Sequence, residues 1–130
     1  RILNSSVWLA DWSLSSVYLK NDANFPWLIL VPRESNVQEI YQLSPAHRHR
    51  LMDEIAALSA ISQEFFKPDK LNIGALGNVV SQLHVHVVAR FKTDKLWPDG
   101  IWQPNLVVAP YSSVQLAELT SALGKKVVNS

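Results

Sequence analysis

The pattern of apolar and polar residues along the chain predicts strands and helices in an α+β order. Alternating or continuous apolar runs predict strands at 6–12, 16–20, 27–31, 70–74 and 83–91. Ser44 and Pro45 mark a helix start, and apolar residues then recur every three to four positions until Lys67. Three strands, a long helix, two strands and a final helix indicate a mostly antiparallel sheet, five-stranded or similar.

The C-terminal part of the chain is less regular before a second predicted helix. Ser112 and Gln115 resemble a capping box, the leucines that follow lie on one helical face, and Gly124 is expected to end the helix. Upstream of it, Trp97 and Trp102 flank a Pro-Asp-Gly turn. Large rigid aromatic residues of this kind pack a core or line a ligand or partner surface, and the sequence leaves both open.

Composition excludes several classes of function. The chain has 130 residues, 48% hydrophobic and 18% charged, which is typical of one globular domain. A net charge of +1 gives no electrostatic reason to expect long nucleic acid or a membrane surface as partner. The absence of cysteine excludes disulfides and thiol catalysis. Because no apolar run approaches the ~18 residues of a membrane span and no signal-like segment begins the chain, we expect a cytoplasmic protein.

The segment 82–90 carries the most informative side chains. Apolar and polar residues alternate along it, so Gln82, His84 and His86 are predicted to lie on one strand face, about 6.6 Å apart. The preceding loop, 74–78, contains two glycines, where backbone can approach a ligand closely. A row of two imidazoles and an amide beside such a loop is a plausible phosphate site.

Two other interpretations of the histidine pair remain at this point. A catalytic zinc normally takes three protein ligands, and the other histidines, His47 and His49, diverge on a predicted helix. No carboxylate occurs between Lys70 and Lys92, so a metal site is not favoured. Alternatively, the two imidazoles are simply hydrogen-bonded groups on the solvated face of the sheet. Histidine is also the side chain best suited to proton transfer and nucleophilic attack near neutral pH.

The segment 82–88 resembles the signature of the histidine triad (HIT) superfamily of nucleotide hydrolases and transferases, His-φ-His-φ-His-φ-φ with φ hydrophobic. The loop 72–78 is similar to the Asn-x-Gly…Gly-Gln loop that precedes the triad in that family. The segment 25–33 resembles the family's earlier strand ending in Pro-Arg, and the helix 44–67 falls where the family has its long helix. The resemblance implies a HIT-like fold in a single domain.

The resemblance covers a core of about 6–91, with an extension over 92–130. By position, His84 matches the nucleophile that attacks the α-phosphorus, and His86 matches the histidine that contacts the phosphate and stabilises its charge. Gln82 stands where the family has its first histidine. An amide can hydrogen-bond but cannot titrate, so this departure leaves the rate, the pH dependence and the substrate branch open.

Four further residues match binding positions of the family. Asn78 matches the polar residue that helps to bind the phosphate or the leaving group, beside backbone N–H groups near Gly77. Asn72 is expected to hold the loop or the nucleophile by hydrogen bonding. Asn21, in preference to Asp22, matches the residue that reads the ribose hydroxyls. Separately from the resemblance, Trp97 and Trp102 follow the histidine strand around a Pro-Asp-Gly turn and are candidates for covering a base or a dimer partner.

The sequence therefore predicts a nucleotide hydrolase that acts on a nucleoside phosphoester, phosphoanhydride or phosphoramidate, with diadenosine tetraphosphate as one candidate. The reaction would proceed through a covalent nucleotidyl-histidine and require no metal or other cofactor. The resemblance implies a homodimer whose sheet runs across the interface. Two alternatives remain: a nucleotidyltransferase, and a non-catalytic nucleotide-binding module, which the missing first histidine suggests.

Overall fold

The computed structural model describes residues 5–128, which form five strands and two helices in the order expected from the sequence. The elements are β1 (Ser6–Asp11), β2 (Ser15–Lys20), β3 (Trp27–Pro32), α1 (Pro45–Phe66), β4 (Lys70–Gly74), β5 (Val85–Arg90) and α2 (Ser113–Val128). A short 3₁₀ turn at Ile40–Gln42 precedes α1.

The five strands form one sheet in the order β1-β2-β3-β5-β4. Every neighbouring pair is antiparallel. Gly74 on β4 and Ile29 on β3 both lie opposite His86 on β5. The predicted α+β class, with an antiparallel five-stranded sheet, one long helix and a C-terminal helix, is confirmed. The strand that carries His86 therefore lies inside the sheet, between β3 and the edge strand β4.

The N-terminus of α1 is built as the sequence predicts. The side chain of Ser44 accepts a hydrogen bond from the backbone N–H of His47, and Pro45 occupies the first turn. Lys67 adopts a left-handed conformation (φ 54°) after the last turn, where a helix commonly ends. His47 is exposed on the first turn and contacts Glu34, so it has no part in the site.

The second helix confirms one prediction and corrects another. Ser112 and Gln115 exchange side chain–backbone hydrogen bonds, which is the predicted capping box. Gly124 does not end the helix, which continues to Val128. A glycine in a helix costs roughly 1 kcal/mol, whereas full burial of a side chain such as Val127 contributes roughly 1.5–3 kcal/mol. Within residues 5–128, neither helix is long and apolar enough to cross a membrane.

The two faces of the sheet are covered differently. On the helix face, α1 and α2 pack against an apolar cluster that includes Val85 and Val87 of β5. On the opposite face lies a smaller cluster formed by Phe25, Trp27, Ile29, Val88 and Ile101. Ile101 belongs to residues 92–112, called here the covering segment, which has no regular secondary structure. Since side chains alternate along β5, His86 points toward the covering segment.

The strand β5 is shorter than the sequence predicts. It begins at Val85, whereas the alternation predicts a start at Leu83. The backbone N–H of Leu83 donates to the carbonyl of Val37 in the loop after β3, and not to a neighbouring strand. Gln82 and His84 therefore precede the sheet, and the expected row of three side chains on one strand is not formed.

Candidate active site

His84 lies at the junction of the preceding loop with β5, and 7% of its surface is exposed. Its Nδ1 lies 2.7 Å from the backbone carbonyl oxygen of Gln82. Because a carbonyl oxygen only accepts hydrogen bonds, Nδ1 carries the proton and donates this one. The neutral ring therefore has its lone pair on Nε2, the nitrogen suited to nucleophilic attack.

His86 is held in the opposite tautomer by Trp27. The indole Nε1 of Trp27 lies 2.9 Å from Nδ1 of His86. An indole N–H only donates, so Nδ1 of His86 accepts and the proton of the neutral ring lies on Nε2. Burial, together with the nearby His84 and Lys20, lowers the pKa of His86 from 6.5 to about 4. At neutral pH, His86 is therefore an uncharged donor through Nε2–H.

The two rings form a compact pair with complementary functions. Their centroids are 4.8 Å apart and their planes are inclined at 80°. One ring supplies a lone pair and the other an N–H, on side chains that are each less than a tenth exposed. A buried donor acts more strongly on a developing charge than one in water, because the local dielectric is low. The pair can therefore attack an electrophile and stabilise the negative charge beside it.

Lys20 brings a positive charge to the same region. Its Nζ lies 5.5 Å from the centroid of the Trp27 ring and donates a hydrogen bond to Ser5 Oγ at 2.8 Å. This charge disfavours a second positive charge on His86, consistent with the lowered pKa. It also gives this side of the pair an attraction for anions.

Gln82 does not direct its side chain toward the histidines. Its Nε2 lies 3.4 Å from the carbonyl oxygen of Pro32 and 3.3 Å from that of Glu34. The amide of Gln82 thus ties its backbone to the end of β3 and to the loop that follows. The backbone carbonyl of the same residue orients His84, so Gln82 acts on the site by positioning that ring.

Asn72 lies on β4, and its side chain is hydrogen-bonded neither to the loop 74–78 nor to His84. Its Oδ1 accepts a hydrogen bond from the guanidinium of Arg90 at 2.9 Å. Arg90, 1% exposed, also donates twice to Asp94, at 2.8 and 3.0 Å. This contact, with two neighbouring backbone N–H donors, lowers the pKa of Asp94 to about 2. Asn72 therefore belongs to a buried cluster that fixes the start of the covering segment.

The glycine loop 74–78 contains one residue in a conformation that favours glycine. Gly77 has φ 71°, in the left-handed region that favours glycine, although a β-carbon there would meet no atom closer than 3.6 Å. Asn78 follows it and is exposed. The loop leads through 79–83 into His84, so its backbone and the Asn78 amide lie within a few residues of the nucleophile candidate.

Asn21 lies in the loop after β2, which is fastened to the covering segment. Its Oδ1 accepts a hydrogen bond from the backbone N–H of Tyr111 at 2.9 Å. The neighbouring Asp22 is fully buried, and its Oδ1 accepts from the backbone N–H groups of Asn24 and Ala109. The amide N–H₂ of Asn21 is therefore available to a ligand. The carboxylate of Asp22 instead accepts hydrogen bonds from the protein backbone.

Trp27 and Trp102 are the site residues whose placement the sequence leaves undetermined. Trp27 begins a continuous apolar run, a pattern that indicates a buried strand but not a partner for a histidine. The centroid of Trp102 lies 5.8 Å from that of His86. Trp97 instead lies over the guanidinium of Arg90, with 5.8 Å from its ring centroid to Cζ. In the sequence, the position of Trp102 shortly after the histidine strand is the one indication that it lies near the histidines.

On residues 5–128, the candidate site is marked neither by a metal-binding cluster nor by any of four cavities. Within residues 5–128, no group of three histidine, cysteine, aspartate or glutamate side chains is placed to hold a metal ion. Four cavities of about 210–500 Å³ on the described residues are lined by other side chains than His84 and His86. The two buried rings are therefore identified as the candidate site by their chemistry and not by one of these cavities.

Comparison with known proteins gives a consistent set of relatives. The profile of the HIT domain matches residues 4–93. A histidine triad protein from Bradyrhizobium japonicum is 40% identical, with a TM-score of 0.88, over 94% of this chain and 90% of that one. One from Marinobacter aquaeolei VT8 is 38% identical, with a TM-score of 0.94, over 99% and 93%.

A third similar structure is a histidine triad protein from Sinorhizobium meliloti 1021. It is 32% identical, with a TM-score of 0.91, over 97% of this chain and 93% of that one. No curated protein matches the chain. The likeness to these three structures extends over nearly the whole chain, including the covering segment and α2.

Proposed function

Because the chain belongs to the histidine triad (HIT) family, we propose that it is a nucleotide hydrolase with His84 as the nucleophile. Its substrate is a nucleoside phosphoester, phosphoanhydride or phosphoramidate, and a dinucleoside polyphosphate such as diadenosine tetraphosphate is the first to test. One observation carries this proposal. His84 and His86 have their protons on opposite ring nitrogens, with their centroids 4.8 Å apart.

In the proposed first step, Nε2 of His84 attacks the α-phosphorus. An N–P bond forms, the bond from phosphorus to the leaving group breaks, and the leaving group departs with the electron pair. The ring then carries a positive charge, which the carbonyl of Gln82 stabilises through the retained Nδ1–H. In the second step, water attacks the phosphorus and the N–P bond breaks. Neutral His84 is restored, and the nucleoside monophosphate and a proton are released.

Donors around the phosphorus complete the proposed mechanism. His86 offers Nε2–H to a non-bridging oxygen, and its lowered pKa keeps it a neutral donor at physiological pH. Lys20 adds a positive charge beside Trp27 and His86. Backbone N–H groups near Gly77, with the Asn78 amide, are proposed to contact the same phosphate. Asn21 is proposed to contact the ribose through its amide N–H₂. Every group in this scheme is a side chain or backbone group of the protein.

The assembly and organisation of the protein remain proposals. We propose a homodimer with a sheet that continues across the interface, and sedimentation equilibrium of the pure protein tests it. We also propose that 1–130 form one domain, because the covering segment and α2 pack on the same sheet as the core. A cytoplasmic location remains a prediction from the sequence.

Brief mixing with diadenosine tetraphosphate, followed by mass spectrometry of the intact protein, tests the nucleophile directly. The reaction should be stopped in alkali, because an N–P bond to imidazole is labile in acid. We expect a transient gain of one adenylyl group in the natural protein and none in His84→Asn, together with AMP and ATP as products. Absence of both adduct and products would overturn the proposal for this substrate class.

The same experiment separates the two alternatives. In ¹⁸O-labelled water, hydrolysis places the label in AMP. In a transferase, an added nucleophilic acceptor takes the adenylyl group from the adduct faster than water does. Binding of the dinucleotide without adduct or product would instead identify a non-catalytic nucleotide-binding module.

A further inference from the structure

Trp102 occupies a position beside the histidine pair that the proposed mechanism leaves unused. Its ring is tilted by 60° to that of His86, with a centroid distance of 5.8 Å. The preceding residue, Ile101, is fully buried in the cluster on this face of the sheet and anchors the backbone. Trp102 itself remains 36% exposed. An anchored indole that keeps an open surface next to a reactive pair is available to a ligand.

Gly74 makes room for this indole. A β-carbon added at Gly74 would lie 3.1 Å from Cη2 of Trp102 and 3.4 Å from Cδ1 of Leu76. The absence of a side chain therefore lets the ring lie close to β4, in the register row of His86. Leu76 is 40% exposed, and both side chains border the space beside Gly74, which is called here the apolar notch.

The sheet order separates this notch from the residue proposed to contact the ribose. Asn21 follows β2, and the order β1-β2-β3-β5-β4 places β2 and β4 on opposite sides of β5. A nucleotide held through its ribose at Asn21, with its phosphorus at His84, has its leaving group directed away from β2. Trp102, Gly74 and Leu76 then lie on the leaving-group side.

We propose that Trp102, with Leu76, forms a stacking platform for a planar aromatic base in the leaving group of the substrate. This inference rests on the proposed function and specifies its substrate class, since it favours dinucleotides over mononucleotides with a bare phosphate leaving group. A phosphate chain gains nothing from an apolar notch, whereas a base gains dispersion and stacking against an indole. Trp102 is thus a specificity-determining residue, distinct from the groups that act on the phosphorus.

A matched pair of substrates tests this proposal. One is diadenosine tetraphosphate, and the other is its analogue in which ribose replaces the second adenosine, so that the phosphate chain and its charge are the same. The proteins compared are the natural chain, Trp102→Ala, Trp102→Phe and, as the control, Trp8→Ala. Trp8 is a 55% exposed tryptophan on the edge strand β1, bonded to Asp11.

We expect Trp102→Ala to lower kcat/KM for the dinucleotide about tenfold, mainly through KM, within the range of one base–aromatic stack. The same change should alter kcat/KM for the ribose analogue less than about twofold, because no stack is lost. Trp102→Phe should recover most of the loss, and Trp8→Ala should change neither substrate. Equal losses for both substrates in Trp102→Ala would overturn the platform and make Trp102 a support for His86.

Binding of the two compounds to His84→Asn tests the stacking platform independently of the reaction at His84. Calorimetry of His84→Asn and of the double variant with Trp102→Ala measures affinity for both compounds without turnover. A dinucleotide preference that disappears in the double variant supports the platform even if no adduct forms on His84. Equal affinity for the two compounds in His84→Asn itself would overturn it, whether or not the natural protein hydrolyses either one.

Discussion

The two histidines are held by neighbouring regions of different construction. At His84 the ring is oriented by a backbone carbonyl two residues earlier in the same loop. At His86 it is oriented by Trp27, a side chain from another strand across the sheet. The first arrangement requires only local chain geometry, whereas the second requires the register between β3 and β5. As a result, His84 presents a lone pair on Nε2 and His86 presents a proton there.

This difference shows how one residue type can supply two chemical functions within 4.8 Å. The residue type alone does not separate the functions of the two rings, because either nitrogen of a neutral imidazole can carry the proton. The separation comes from the partner of each Nδ1, an acceptor in one case and a donor in the other. Substitutions that remove either ring, or the hydrogen-bond partner of either ring, should therefore lower activity or stability by different amounts.

Removal of the His84 ring should have the largest effect. We expect His84→Ala and His84→Asn to lose turnover by a factor on the order of 10⁴ or more, as for other covalent nucleophiles. Asparagine keeps an N–H for the Gln82 carbonyl, so the fold and nucleotide binding should persist. Steady-state kinetics and circular dichroism measure the two properties. His47→Ala, in an exposed histidine paired with Glu34, is the matched control and should keep full activity.

Retained turnover in His84→Ala would remove the nucleophile assignment. Loss of the folded state in both variants would instead make His84 a structural residue. Equal loss in His47→Ala would show that the effect is not specific to the pair.

The second effect is the pH dependence of stability contributed by His86. Its pKa is about 4 in the folded protein, against 6.5 in the unfolded chain. The unfolded state therefore takes up the proton first, so this stability is complete above pH 6.5 and declines as the pH falls toward 4. Full loss of this contribution is about 3 kcal/mol. The ring stays neutral in the folded state because it is buried and because His84, Lys20 and Trp27 face it.

Urea unfolding at pH 7.5 and pH 4.5, followed by tryptophan fluorescence, measures this contribution. His86→Gln keeps an acceptor for Trp27 but cannot titrate, so it should lose less stability over this interval than the natural protein. Asp94, whose pKa is about 2, contributes its pH dependence mostly below this window in both proteins. Identical pH dependence in the natural protein and in His86→Gln would contradict the depressed pKa.

The sequence predicted the elements and the histidine pair, because both depend on local patterns. Alternation identified His84 and His86, and Ser44 with Pro45 located the start of α1. The partners of the pair could not be predicted, since the contact from Trp27 depends on which strands are neighbours. The helix continues past Gly124 for a similar reason, because burial of Val127 against the sheet is a tertiary effect.

Some features of the site residues follow from the local sequence, whereas others depend on residues far away in the chain. The left-handed conformation of Gly77 follows from its place in a glycine loop. Asn72 was expected near the nucleophile, but an arginine 18 residues later in the chain accounts for its hydrogen bond. Gln82 was expected on the histidine face, and its side chain instead reaches carbonyls about fifty residues earlier. Such long-range partners leave no periodic signal in the sequence.

Removal of the indole N–H of Trp27 should have a smaller effect on catalysis than loss of His84. Trp27→Phe leaves Nδ1 of His86 without its donor, so the ring can adopt either tautomer. We expect kcat to fall about tenfold, because the phosphate donor is no longer fixed in place. ¹⁵N NMR of His86 should show a mixture of tautomers. Trp12→Phe, which removes a comparable indole hydrogen bond to Val127, is the control.

An unchanged His86 spectrum in Trp27→Phe would show that burial alone sets the tautomer. A change in kcat of the same size in Trp12→Phe would mean that the loss reflects general destabilisation.

The smallest effect is expected at Gln82. Its substitution tests whether the side chain, in addition to the backbone carbonyl, helps to orient His84. Its two hydrogen bonds, at 3.3 and 3.4 Å, are long, and the backbone carbonyl that holds His84 remains after substitution. We expect Gln82→Ala to lower kcat about threefold with KM unchanged, as a slight loss of orientation. Gln82→His should be tolerated, since an imidazole keeps one donor for these carbonyls. Gln63→Ala removes a similar 3.3 Å bond from α1 and is the control. A loss in Gln82→Ala as large as that in His84→Ala would mean that the amide contacts the substrate directly.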